Sequence, residues 1–399
     1  MLSLIKILFI FSLILILIKK KLNIGLSLIL ASFLFLALFA IPLPRLIPIV
    51  SSAFLAHDNI DLLLSLFSIM LLGNLLSNNG DLLKLVQAVE ERIRDPRLVS
   101  PVLSALIGLL PMPGGALFSA PLVEASHKSD SPPGESLTFI NYWYRHIWEY
   151  FLPLYPVILL ASTVTGLSLS WIIIHHLPFS ILAVLGGWMV VKSLKTTRTG
   201  KPNPSPIPIN TLIRLLLPLL IPVLTVLMYQ PVWVGAGLGI LFCALIHRMN
   251  FSTLSRLMFF RFSWPMIADV VGVIFFKTVI IESQSIPTLV NSFISSHFPV
   301  LLIGVAIPFL VALISGYSSA FIGIAFPIIL PLLSQFSLLQ IFPLIFISGY
   351  AGITFSPAHL CLILSCRHFK TDLIKIYRLL FFPFLIVFSW GIIWYFIAR

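Results

Sequence analysis

The run TFINYWYRHIWEYFLPLYP, residues 138 to 156, sets Asn141, Arg145, His146 and Glu149 in an otherwise apolar stretch just ahead of Pro153. Ionisable groups in apolar spans are expensive, so each is a functional candidate. Arg145 can hold an anionic solute. His146 or Glu149 can carry a proton, since imidazole titrates near neutral pH and burial brings a carboxyl into that range. Arg145 and Glu149 stand at i, i+4, one helix face, so a structural ion pair remains the alternative. Lys277, in VGVIFFKTVIIES, lies in the middle of another apolar run. Its expected partner is Glu149, Asp269, Glu282 or an anionic solute. His359, after Pro357, reads as a satisfied core histidine.

A different signal comes from IGLLPMPGGALFSAPLVEA, residues 107 to 125, where Pro111, Pro113, Gly114 and Gly115 fall within five residues of an apolar region. Glycines let a ligand approach the backbone, and a helix restarting there presents free N–H groups to an anion. The plain alternative is a kink between packed helices.

These residues need elements to position them. The chain has 399 residues, 59% hydrophobic and 10% charged, against about 25% charged in soluble domains. It is therefore expected to be an all-α integral membrane protein. Spans need roughly 17–25 apolar residues. Ten are expected, at about 2–18, 22–41, 59–78, 138–163, 169–191, 211–228, 232–247, 264–281, 338–364 and 376–397. The N-terminal run reads as a retained first span rather than a signal peptide, because its charges follow the apolar core. Two apolar stretches remain, 98–126 and 299–335. Each is interrupted near its middle, the second by ISGYSSAF. Each fits a re-entrant hairpin, which is tolerated at depth only when buried in protein or lining a watery cavity.

With both termini outside, most of the 25 Lys and Arg fall in cytoplasmic segments, as the positive-inside rule requires. The net charge of +12 is thus assigned to orientation, not to nucleic acid, because no basic face interleaved with aromatics occurs. The cytoplasmic segment KLVQAVEERIRDPRLV is expected to be an amphipathic surface helix. Cys243, Cys361 and Cys366 are isolated and read as small buried hydrophobes.

The order of elements repeats. Ala105 and Ala312 are 207 residues apart, Pro121 and Pro327 are 206 apart, and Pro153 and Pro357 are 204 apart. Each half holds three spans, a hairpin, a proline-broken span and a span. Five crossings per half invert the second half relative to the first, an inverted-topology repeat. Residues 1–192 form the first repeat, 193–210 a cytoplasmic linker and 211–399 the second repeat. The first hairpin faces the cytoplasm and the second faces outside. Broken helices in matching positions point to a binding site.

PMPGGALFSAP, the two hairpins and the ten spans resemble the domain-of-unknown-function family numbered 401, of the ion transporter superfamily, across nearly the whole chain. Relatives there include gluconate, lactate, citrate and dicarboxylate permeases and some sodium/proton antiporters. The resemblance implies cation-coupled, elevator-type transport, two hairpin tips around the solute, and a homodimer. One departure is visible. Dicarboxylate carriers of the superfamily carry a Ser-Asn-Thr type signature at both tips, whereas tip one here has no side-chain oxygen. Ser315, Ser318 and Ser319 at tip two, with Gly352, Thr354 and Ser356 opposite, leave one possible Na+ site, in the second half. Ser318, Ser319, Thr354 and Ser356 also join the expected solute site.

The function read from the sequence is secondary transport of a small carboxylate-type anion across the cytoplasmic membrane, coupled to Na+ or H+. An ion antiporter is the alternative and an intramembrane enzyme the second. No Gly-x-Ser-x-Gly, His-Glu-x-x-His or paired intramembrane aspartates favour the enzyme, and no Walker A motif supplies ATP. No resident cofactor is expected. The expected partners are the lipid bilayer and the solute or ion.

Overall fold

The computed structural model describes residues 2–93, 95–111, 115–127, 132–194, 207–260, 263–282 and 299–398. Pro113 and Gly114 lie outside the described residues. So do Arg94, Lys128, Lys195, Arg198, Lys201, Arg261 and Arg399 of the charge argument, and most of the expected linker. Every element among the described residues is helical.

Five described helices are long and apolar enough to cross a membrane: His57–Asn78, Leu169–Val191, Ile209–Leu227, Trp264–Glu282 and Leu373–Ile397. Leu2–Lys19, Ile24–Leu38, Val232–Ile246 and Leu338–Thr354 occupy other expected spans. Local chemistry sets several ends. Asn23 accepts from the Leu26 amide at 3.1 Å and Ser168 from that of Trp171 at 3.3 Å, so each caps the helix that follows. Two short helices, Leu46–Leu55 and Phe251–Phe260, were not expected. Of the expected amphipathic segment only the first part is one helix, Asp81–Arg92, which buries Leu85, Val86 and Ala88 and exposes Lys84; its last residues open the next helix, Pro96–Gly108.

Packing is reciprocal between the halves. Ile24–Leu38 lies against Trp264–Glu282, and Val232–Ile246 lies against His57–Asn78. Asp269 sits at the first of these crossings. Its Oδ1 accepts from the Gly25 amide at 3.0 Å and from Asn23 Nδ2 at 2.7 Å, so it anchors the start of Ile24–Leu38. The long helices Leu169–Val191 and Leu373–Ile397 also pack together.

Both interrupted stretches are helix–break–helix. The first hairpin consists of Pro96–Gly108 and Ala116–Ser126, and its limbs touch. Asp95 caps its entry with Pro96 in the first turn, and Ser100 Oγ bonds His127 Nε2 at 3.0 Å across its base. The second hairpin is Val300–Ser315, then Ser318–Ala320 running through a π-helical Phe321–Ala325 into Phe326–Leu332. Gly316 ends the first limb at φ +69°, a left-handed value that glycine adopts without strain. A ring cluster of His176, Phe321, Phe326, Phe342, Phe346 and Tyr350 backs the second limb.

The proline-broken spans depart from expectation in detail. The first unwinds well before Pro153. Helix Gly134–Trp143 passes into a 3-10 turn at Tyr144–His146, and helix resumes only at Pro156–Thr165. The second break is short, between Leu338–Thr354 and Leu360–His368.

Candidate functional site

Unwound backbone inside a membrane protein must find partners, because each bare group costs several kcal/mol there. Residues 144 to 155 find them partly in local turns, such as Glu149 N–H to the His146 carbonyl and Leu152 N–H to that of Trp148, and partly in distant side chains. Ser180 Oγ donates to the Ile147 carbonyl at 2.5 Å, His176 Nδ1 bonds the Tyr150 carbonyl at 3.0 Å, and Tyr350 Oη, whose hydrogen goes to Glu149, lies 3.4 Å from the His146 carbonyl. The stretch also holds the first hairpin. Trp148 Nε1 donates to the Ala105 carbonyl at 2.7 Å, and Tyr155 Oη donates to the Gly108 carbonyl at the limb's end. A Cβ on Gly108 would overlap the Arg145 carbonyl, so a glycine is needed for this approach.

The second break fastens to its own hairpin. Ser356 Oγ donates to the Leu313 carbonyl at 2.7 Å and accepts from the Ala358 amide at 3.1 Å. His359 Nδ1 bonds the Gly316 carbonyl at 2.8 Å. A Cβ on Gly316 would meet the Ala358 carbonyl carbon at 2.6 Å.

These pieces converge on a cavity of about 110 Å³. Its wall includes Pro111, Arg145, His146, Glu149, Ser318 and Ser319, six of the residues singled out from sequence. Tyr155, Tyr317, His359 and Cys361 complete its polar lining. Gly115 stands just behind, where a Cβ would run into the Arg145 guanidinium. Two helices begin beside the cavity, at Ala116 and at Ser318. The positive ends of their dipoles favour an anion there.

The helical i, i+4 pairing of Arg145 and Glu149, the alternative read from sequence, does not form, because the backbone between them is not α-helical. Arg145 Nη1 reaches Cys361 Sγ at 3.4 Å. Glu149 accepts from Tyr350 Oη at 2.8 Å and lies 3.7 Å from His146 Nε2. Asn141 donates to the Ala116 carbonyl at 3.2 Å and to Ser365 Oγ at 2.8 Å, so it links the first hairpin to the second break.

Other expected residues lie off the cavity wall. Lys277 Nζ donates to the Thr163 carbonyl rather than to any of the three expected carboxylates. Thr354 Oγ1 donates to the Tyr350 carbonyl at 2.9 Å, and Ser315 Oγ accepts from the Tyr317 amide at 3.3 Å. At Gly352 the backbone presses on the second hairpin's first limb, where a Cβ would lie 2.7 Å from Ala312 Cβ. Gly352 and the doubly bonded Ser356 hold the second break against the hairpin, while Thr354 bonds within its own helix and Ser315 within the turn.

His359 and Cys361 were not singled out for this site. Their partners His146 and Arg145 are more than 200 residues away in sequence, and no local motif links them. A larger hollow of about 380 Å³ is lined by Asp58, Asp61, Ser162, Thr163 and neighbours. It carries two carboxylates and no Lys, Arg or His, the wrong sign for an anion.

No curated protein matches the chain. Among solved structures it is similar to the crystal structure of the Alcanivorax borkumensis YdaH transporter, described as having an unusual topology. The two share 14% identity with a TM-score of 0.67, over 94% of this chain and 98% of that one. At that identity the likeness is one of fold. A family model described as protein of unknown function (DUF401) matches residues 1–398, and the chain belongs to that family.

Proposed function

We propose that this chain is a secondary active transporter, not an enzyme, for a small carboxylate-type anion, driven by a Na+ or H+ gradient. The observation that carries the reading is the meeting of two hairpin tips and two helix breaks at one cavity with a buried arginine on its wall. Arg145 is 2% exposed, and a guanidinium matches a carboxylate with two parallel N–H donors. The two helix N-termini add to the attraction. The fold shared with a protein described as a transporter is consistent with this use.

Ten spans in two inverted repeats, with both termini outside the cytoplasmic membrane, are the proposed arrangement. The reciprocal packing between the halves supports it. One repeat's hairpin moving against the other would expose the cavity to each side in turn, as elevator-type alternating access requires. A homodimer would supply the stationary frame.

Proteoliposomes holding the purified chain test the proposal with gluconate, lactate, citrate and succinate. Uptake of at least one should rise when a Na+ or H+ gradient is imposed. Uptake of all four indifferent to both gradients contradicts the coupled-transport reading.

A further inference from the structure

The cavity wall brings His146, His359 and Cys361 together. Their ligand atoms, one from each residue, all lie within 4.8 Å of one another. The two imidazoles meet through Nε2, at 3.2 Å. Each also turns Nδ1 to a backbone carbonyl, His146 to Tyr142 at 2.5 Å and His359 to Gly316 at 2.8 Å.

A carbonyl only accepts, so both Nδ1 atoms carry hydrogen. In the neutral rings both Nε2 atoms are then bare lone pairs, and they point at each other. Two lone pairs at hydrogen-bond distance require a positive centre between them. A proton or a metal ion would serve. The third group decides between them, because a sulfur beside two imidazole nitrogens is a donor set for a borderline or soft transition metal.

We propose that His146 Nε2, His359 Nε2 and Cys361 Sγ form a binding site for a divalent transition-metal ion of the Zn2+ class. Tetrahedral zinc with Zn–N bonds of about 2.05 Å places two nitrogens about 3.3 Å apart, close to the observed separation. The Nδ1–carbonyl bonds fix the tautomer and ring orientation, the outer-shell support that metal-bound histidines usually have. Binding breaks the Cys361 S–H bond and forms a sulfur–metal bond, with the proton released to water. Where the rings share a proton, the ion displaces that one as well, so two protons leave for one divalent ion and the charge on the wall is unchanged. The fourth coordination position is left to Glu149, 3.7 Å from His146 Nε2, or to an anion in the cavity. Metal binding is independent of the transport reading, since it is measured without any solute or gradient.

The test uses the purified full chain in detergent, stripped with a chelator and titrated with Co2+ and then Zn2+. The wild-type protein is expected to take up one equivalent of Co2+. Its spectrum should show a thiolate-to-cobalt charge-transfer band and the intense visible bands of a four-coordinate ion, both bleached by Zn2+. Cys361→Ser should lose the charge-transfer band, and His359→Ala should weaken Zn2+ binding about 100-fold or more. Absence of stoichiometric uptake by wild type, which leaves a shared proton between the rings, overturns the proposal. So does Co2+ bound without the thiolate band. Both results need only the wild-type protein, so a misfolded variant does not blunt the test.

Discussion

The two helix breaks occupy matching places in the chain yet are built differently. The first runs from Tyr144 to Tyr155 and draws partners from Ser180, His176 and Tyr350, on two other helices. The second spans only a few residues. It is fastened by Ser356 and His359 to its own hairpin. The first carries Arg145, His146 and Glu149, while the second contributes His359 and Cys361. Similar architecture therefore frames unlike chemistry. The first break places a guanidinium and a carboxyl group on the cavity wall, and the second is a bracket that carries an imidazole and a thiol there.

The largest effect should follow from removing the charge on the first break. Arg145→Ala is expected to weaken carboxylate binding by about 2–5 kcal/mol, the range for losing one member of a buried charged pair. Isothermal titration on a monodisperse sample measures this. Unchanged affinity would take Arg145 out of the solute site.

The bracket should behave differently. Ser356→Ala leaves the Leu313 carbonyl and the Ala358 amide without that hydroxyl, and it is expected to cost about 1–3 kcal/mol of stability. A thermal melt reads the loss, and the Na+ dependence of uptake should not change. Lost Na+ dependence at unchanged stability would restore Ser356 as a sodium ligand.

A milder effect is expected behind the guanidinium. Gly115→Ala places a methyl group against the end of Arg145, whose side chain must shift. The expected loss is about tenfold in carboxylate affinity, or about 1.4 kcal/mol. No loss would mean that Arg145 is free to reposition. Smallest of all, Lys277→Met should leave carboxylate affinity within about 0.5 kcal/mol, the usual scale for substitutions away from a site. A tenfold drop would bring Lys277 back to the solute.

Much of this fold was legible because its signals are local. Apolar runs located the long helices to within a few residues, and Leu169–Val191 begins and ends where the sequence places it. Pro and Gly inside apolar runs marked both hairpins. The extent of the first break was not legible. Pro153 is visible in the sequence, but the stretch unwound from Tyr144 also bonds to side chains at least 26 positions away, which no local signal announces. Helix Leu46–Leu55 was missed for another reason. It is short, contains Pro48, and follows Pro42 and Pro44.

Half of the site was legible for the same physical reason. Charge in an apolar run is conspicuous, so Arg145, His146 and Glu149 stood out. His359 and Cys361 did not, because a single His and a single Cys are ordinary in a core. Their role comes from a fold that brings His359 to His146 across 213 residues of chain. Lys277 is equally conspicuous in sequence, but it donates to the Thr163 carbonyl and does not line this cavity.

The central claim is that both hairpin tips border one solute cavity. Single cysteines introduced as Pro111→Cys and Ser318→Cys in nanodisc-embedded protein, labelled with a water-soluble maleimide and quantified by peptide mass spectrometry, test it directly. A carboxylate taken up by the protein should protect both positions with the same half-protecting concentration. Protection of one position alone, or of neither, would contradict the claim.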